Sequence, residues 1–213
     1  MPVDPRPRLR GVSHQFAFFL ALGAGAVLTA SARTPTAAAA AAIYAATLAT
    51  MLGTSAIYHR VLWAPRARAI WRRLDHAAIF LFIAGTYTPV AVLALGGGSG
   101  ARLLALVWLG AGLGVVRAVL WPRAPRAVAA ALYVALGWLL VAYWHEVRGA
   151  LPPAPRALIL VGGALYTIGA LTYALRRPDP LPRVFGYHEV FHALVVIACA
   201  CHFAAVLDLV QRA

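Results

Sequence analysis

Seven apolar blocks, at residues 14–30, 37–58, 75–95, 103–120, 128–144, 158–175 and 186–210, occupy most of this chain. Each is long enough to cross about 30 Å of hydrocarbon as a helix. The joints between them are short and rich in proline, glycine and arginine: "TPTA", "WAPRARA", "GGGSGA", "WPRAPR", "LPPAPR" and "RRPDPLP". Such joints turn the chain and leave no room for a soluble domain. The expectation is an all-α integral membrane bundle of seven transmembrane helices, a single domain over residues 1–213. Composition agrees, with 62% hydrophobic residues, 12% charged residues and a mean hydropathy of +0.78, far from the quarter of charged residues usual in soluble domains.

All 19 basic residues are arginine, and with 6 acidic residues they give a net charge of +13. They stand singly or in small groups between apolar blocks and form no continuous basic face, which argues against nucleic acid as a partner. Together with the alanine runs, the absence of lysine suggests high-GC coding and a bacterial source. Fourteen arginines fall on the side of the N-terminus, at positions 6–10, 60–73, 117–126 and 176–183, against five on the other side. Short cytoplasmic loops are enriched in positive charge, so the N-terminus is expected in the cytoplasm and the C-terminus outside. The place is then a bacterial inner membrane, crossed several times.

The first block, ending in "ASA" at 30–32, imitates a secretory signal with its cleavage site. It is read here as a retained helix. Cys199 and Cys201 lie two apart in one apolar helix and point to different sides, so they do not suggest a disulfide. Gly110 and Gly114 form a GxxxG, a sign of close helix packing.

Polar residues are costly in a spanning helix and mark functional positions. With the expected direction, the second helix ends at the cytoplasmic side in "SAIYH", where Ser55 and His59 share a face. The third begins at that side with Asp75, and the seventh with His188 and His192, again four apart. At about 1.5 Å per residue these five fall in a band roughly 6 Å deep. Three helices distant in sequence therefore offer three imidazoles, a carboxylate and a hydroxyl at one depth.

Imidazole and carboxylate suit Zn²⁺, whose catalytic sites use three protein ligands and a water. His59, His188 and His192 are the expected metal ligands, with Asp75 and Ser55 as catalytic residues that hold or deprotonate the water. Three neutral ligands leave the ion's charge undiminished, which lowers the pKa of such a water to about 7. Taken singly, Asp75 is also readable as a helix cap or a partner of Arg72, and Ser55 as bonded to its own helix. Their joint placement favours the site.

"HEVFH" at 188–192 also fits H-E-x-x-H, the zinc-protease pattern in which the glutamate is the base. Glu189 faces about 100° away from His188 on the helix, so Arg183 or the interface is an equal destination. His202 continues the stripe of His188 and His192 but lies about 15 Å beyond His192, too far for the same ion. It is expected to hydrogen-bond within the bundle or to line a cavity. His14, at the start of the first helix, faces either the site or the headgroups. His76 and His145 read as interfacial.

On "SAIYH", "RRLDHAAIFLFIAGTYTPV", "GGALYTIGALTYALRRPDP" and "GYHEVFH" through "CHF", the chain resembles the haemolysin III family, the bacterial branch of the progestin and adipoQ receptor group. The resemblance covers nearly the whole length. It implies seven helices, a cytoplasmic N-terminus and a zinc site of His59, His188 and His192 beside Ser55 and Asp75. The wider superfamily includes alkaline ceramidases, which implies hydrolysis of membrane lipid amides. Other relatives act as receptors, which implies a zinc-stabilised sensor, and the family name implies a pore-forming cytolysin. Family members often carry Glu and Asn before a His in the first helix, whereas this chain has "RLRGVSHQFAF" there.

Overall fold

The computed structural model describes residues 6–213. Apart from one antiparallel bridge between Leu181 and Phe185, the regular structure among them is helical. The helices are α1 (Val12–Ala30), α2 (Pro35–Arg60), α3 (Pro65–Pro89), α4 (Gly97–Leu120), α5 (Arg126–Gly137), α6 (Trp144–Ala150), α7 (Pro153–Leu175) and α8 (Tyr187–Arg212). A π-helical stretch, Val90–Leu95, extends α3, and a 3-10 stretch, Leu139–Tyr143, joins α5 to α6. With those two joins, the described residues hold seven helical segments long and apolar enough to cross a membrane.

Local chemistry sets the helix starts. Proline stands in the first turn of α2, α3 and α7, where its missing N–H costs nothing and its fixed φ suits the helix. The Thr34 side chain accepts a hydrogen bond from the Ala37 N–H at 3.2 Å and caps α2. Residue 176 ends α7 in the left-handed region, at φ 56°.

Two elements depart from the apolar blocks. Helix α3 begins at Pro65, ten residues ahead of the block's first residue, because Pro65 and the arginines after it favour helix although they are too polar to enter hydrocarbon. Asp75 is therefore not a cap: it lies inside α3 and is buried. The fifth crossing is broken after Gly137, and the hydroxyl of Tyr87 mends the break. It reaches the Leu136 and Gly137 carbonyls and accepts from the Leu140 N–H at 3.0 Å. Trp138 donates to the Thr167 hydroxyl at 2.9 Å beside it. Irregular backbone at this depth needs such internal partners, since lipid offers none.

Successive helices pack side by side from α1 to α4, α5 packs on α7, α7 on α8, and α8 closes onto α1 while touching α2 and α3. One core cluster, with Tyr44, Leu48, Met51, Phe82, Val195 and Val206, lies between α1, α2, α3 and α8. A second, with Phe80, Tyr87, Leu103, Val107 and Leu140, joins α3 and α4 to the broken crossing. Small residues allow the close approaches that association in lipid relies on. A Cβ on Gly114 would strike the Phe80 ring, and one on Gly110 would lie 2.6 Å from Leu136. The GxxxG of α4 thus receives side chains from two different helices. Leu20, Leu109, Leu113 and Phe16 remain exposed, as the outer face of a membrane bundle requires.

The segment before α1 is tied down. Arg8 and Leu9 donate backbone hydrogen bonds to the carbonyls of Arg183 and Val184, each at 3.1 Å. Gly11 then turns the chain into α1 at φ 77°, with room for no side chain, since a Cβ there would come 2.6 Å from that of His59.

Candidate metal centre

His59 lies in the last turn of α2, and His188 and His192 in the first two turns of α8. Their ligand atoms all lie within 4.8 Å of one another. The Nε2 atoms of His59 and His188 are 3.2 Å apart. Two nitrogens on one tetrahedral Zn²⁺, at about 2.0–2.1 Å each, would stand roughly 3.3 Å apart. His192 is 2% exposed and its Nδ1 has no hydrogen-bond partner among the described residues. Three imidazoles that approach this closely, with a buried nitrogen unpaired, have the donor chemistry and spacing of a site that could hold a metal ion.

The neighbours hold these rings in place. His14, buried at the start of α1, stacks on His192 with centroids 3.8 Å apart and planes 5° from parallel. Its Nδ1 is 2.8 Å from the Ser55 hydroxyl, and Ser55 also faces Asp75. The two destinations open to His14 thus resolve in favour of the site. Ser55 and Asp75 are buried, at 4% and 8% exposure, and lie beside the histidines.

Glu189 is aimed elsewhere. Its carboxylate accepts the Gly186 N–H at 2.8 Å, capping α8, and pairs with the Arg10 guanidinium. The partner is thus Arg10 rather than Arg183, and the H-E-x-x-H glutamate serves as a cap and an anchor for the N-terminal segment. His202, farther along α8, lies 3.1 Å from the Ile159 carbonyl and edge-on to Tyr166, with ring centroids 5.3 Å apart. It also lines the deep end of a cavity, so it does both things open to it. His145 is exposed.

Two cavities meet at the cluster. One, of about 140 Å³, runs into the bundle and is almost wholly apolar, walled by Phe82, Tyr133, Trp138, Tyr166, Phe191 and Val195 among others. The other, of about 570 Å³, is polar and opens at the end of the bundle that carries His59. Asp75, His76, Tyr173 and His188 line both. His76, read as interfacial, thus sits at the junction, and its carbonyl accepts from the Tyr133 hydroxyl at 3.2 Å. Tyr173 and Tyr166 were not singled out in sequence. Their seven-residue spacing in "LYTIGALTY", two turns of one helix face, was the available signal.

Fold and site together define a multi-pass membrane protein with a cluster of three histidines at one end of the helix bundle. The sequence profile described as Haemolysin-III related matches residues 4–203, and the chain belongs to that family. It is 33% identical over 143 residues to Hemolysin-3 of Bacillus cereus, covering 67% of this chain and 63% of that protein. It is 30% identical over 142 residues to the Hemolysin-3 homolog of Bacillus subtilis (strain 168), covering 67% and 64%. Heptahelical transmembrane protein ADIPOR2 of Oryza sativa subsp. japonica is 31% identical over 156 residues, covering 66% and 68%. The matched part of the chain spans just under two thirds of the length of the two Bacillus relatives.

Proposed function

We propose that this protein is a zinc-dependent hydrolase of membrane lipid amides, with its site at the cytoplasmic face of a bacterial inner membrane. The observation that carries the reading is the convergence of His59, His188 and His192 beside buried Asp75, where an apolar cavity meets a polar one. A lipid amide has that same division, with an apolar tail, a polar head and the scissile group between. The excess of arginine at the loops on this side supports the orientation.

The three histidines would hold the ion, which would supply Lewis acidity toward a carbonyl oxygen and acidify a water. Asp75 takes the proton from the attacking water on a carboxylate oxygen and returns it to the departing amide nitrogen. The Ser55 hydroxyl, fixed by His14 Nδ1 at 2.8 Å, orients that carboxylate. Stacking on His14 keeps the His192 ring in its plane. The apolar wall admits the tail and excludes bulk water from the reacting carbonyl.

Asp75→Asn is expected to keep bound zinc and lose at least about a hundredfold in turnover of a ceramide-like amide, the scale of general acid–base catalysis. His188→Ala is expected to lose both metal and turnover. Metal analysis of the purified variants beside a fluorescent amide assay checks this, and full turnover in Asp75→Asn would sink the proposal.

The cluster also ties α2 to α8, which favours a second reading in which zinc is a brace and the protein a sensor. Chelation that lowers the unfolding temperature in parallel with metal loss, for a protein without turnover, would select it. A cytolytic pore has less support, because the polar cavity gives way at Asp75 and His76 to an apolar one.

A further inference from the structure

The polar cavity is lined by Arg6, Arg10, Arg68, Arg72 and Arg126, and among the described residues Asp75 is the sole carboxylate residue in its lining. Of these arginines, Arg10 is neutralised by Glu189. Arg68, Arg72 and Arg126 have no carboxylate within ion-pair distance among the described residues. Arginines used only as surface anchors would point outward to water and headgroups. Here Arg72 and Arg126 are half-buried and held by the protein: Arg72 donates to the Pro122 carbonyl at 2.6 Å, and Arg126 donates to the Tyr187 hydroxyl at 2.8 Å. The Arg126 guanidinium also lies over the Tyr173 and Tyr187 rings, 5.5 and 6.0 Å from their centroids.

Like charges gathered in a concave site repel one another and focus a positive potential into it. Guanidinium groups fixed in advance bind phosphate in a forked geometry at low entropic cost. We infer that this cavity is a phosphate-binding site, in which Arg72 and Arg126 clamp, and Arg68 attracts, the phosphate of an anionic lipid headgroup or a free phosphate ion. Tyr173 lines both cavities and touches Arg126, so a phosphate held there would set the lipid's next atoms at Asp75 and His188. That a bound lipid is also the one hydrolysed rests on the function proposed above, whereas the binding does not.

The test is titration calorimetry of the detergent-solubilised full chain with two probes, dihexanoyl phosphatidic acid and inorganic phosphate, with dihexanoylglycerol as the uncharged control. Binding of the lipid alone assigns the site to headgroups, and binding of both assigns it to the phosphate group itself. Arg126→Gln and Arg72→Gln are each expected to weaken binding roughly tenfold, while Arg148→Gln leaves it unchanged. If Arg126→Gln does not fold, Tyr187→Phe, which frees the Arg126 guanidinium, is expected to weaken binding a fewfold, with zinc content and unfolding temperature kept. Silence from both probes, or equal affinity in all variants, overturns the inference. The binding readout needs no turnover, so phosphatidic acid binding by a protein that fails the amide assay would reject the hydrolase and retain this site.

Discussion

Position 11 has no room for a side chain. It combines a left-handed backbone with a neighbouring imidazole residue whose Cβ a new methyl would meet at 2.6 Å. Gly11→Ala is therefore expected to cost roughly 1–3 kcal/mol and, by displacing His59, to weaken the metal binding proposed above. Thermal unfolding and metal analysis of the same preparation check both effects. The spacing of Ser55, His59, Asp75, His188 and His192 was readable because helix period and crossing direction suffice to align them. His14 was not, since one histidine after three arginines fits a headgroup position equally well, and only the stack on His192 decides. Glu189 shows the opposite case: a motif suggested a base, but the geometry of a helix start made the residue a cap.

At the level of elements, the broken fifth crossing depends on a residue of the third. Tyr87→Phe would strip partners from two carbonyls and one amide around Leu136–Leu140. It is expected to destabilise the bundle by about 1–2 kcal/mol, since such bonds are worth less in lipid than their number suggests. Unfolding in detergent would measure this, and hydrogen exchange should rise around residues 137–143 first. The sequence placed the fifth block correctly but gave no sign of its break, because hydropathy is blind to which backbone groups are paired. It likewise missed the first ten residues of α3, whose arginines are helical without being apolar.

For the molecule as a whole, the crossings read directly from the apolar blocks, since length against hydrocarbon thickness leaves little freedom. Their sidedness comes from arginine placement and is open to a direct test. In a background with Cys199→Ala and Cys201→Ala, single cysteines at Ala64 and Pro180 are expected to react with an impermeant maleimide only from the cytoplasmic side. One at Ser99 should react only from the outside. Labelling of Ala64 and Pro180 from opposite sides would be incompatible with one cluster of His59 and His188. The two cavities had no counterpart in the sequence, because an empty volume is a property of helices packed at particular distances.

The stitching of Arg8 and Leu9 to the turn before α8, with Arg10 locked onto Glu189, has a practical side. An affinity handle or fluorescent fusion joined ahead of residue 6 would pull on the segment that roofs the histidines. One attached after Ala213, at the opposite end of the bundle, would leave that roof in place. A preparation made for metal analysis should therefore carry its tag after Ala213.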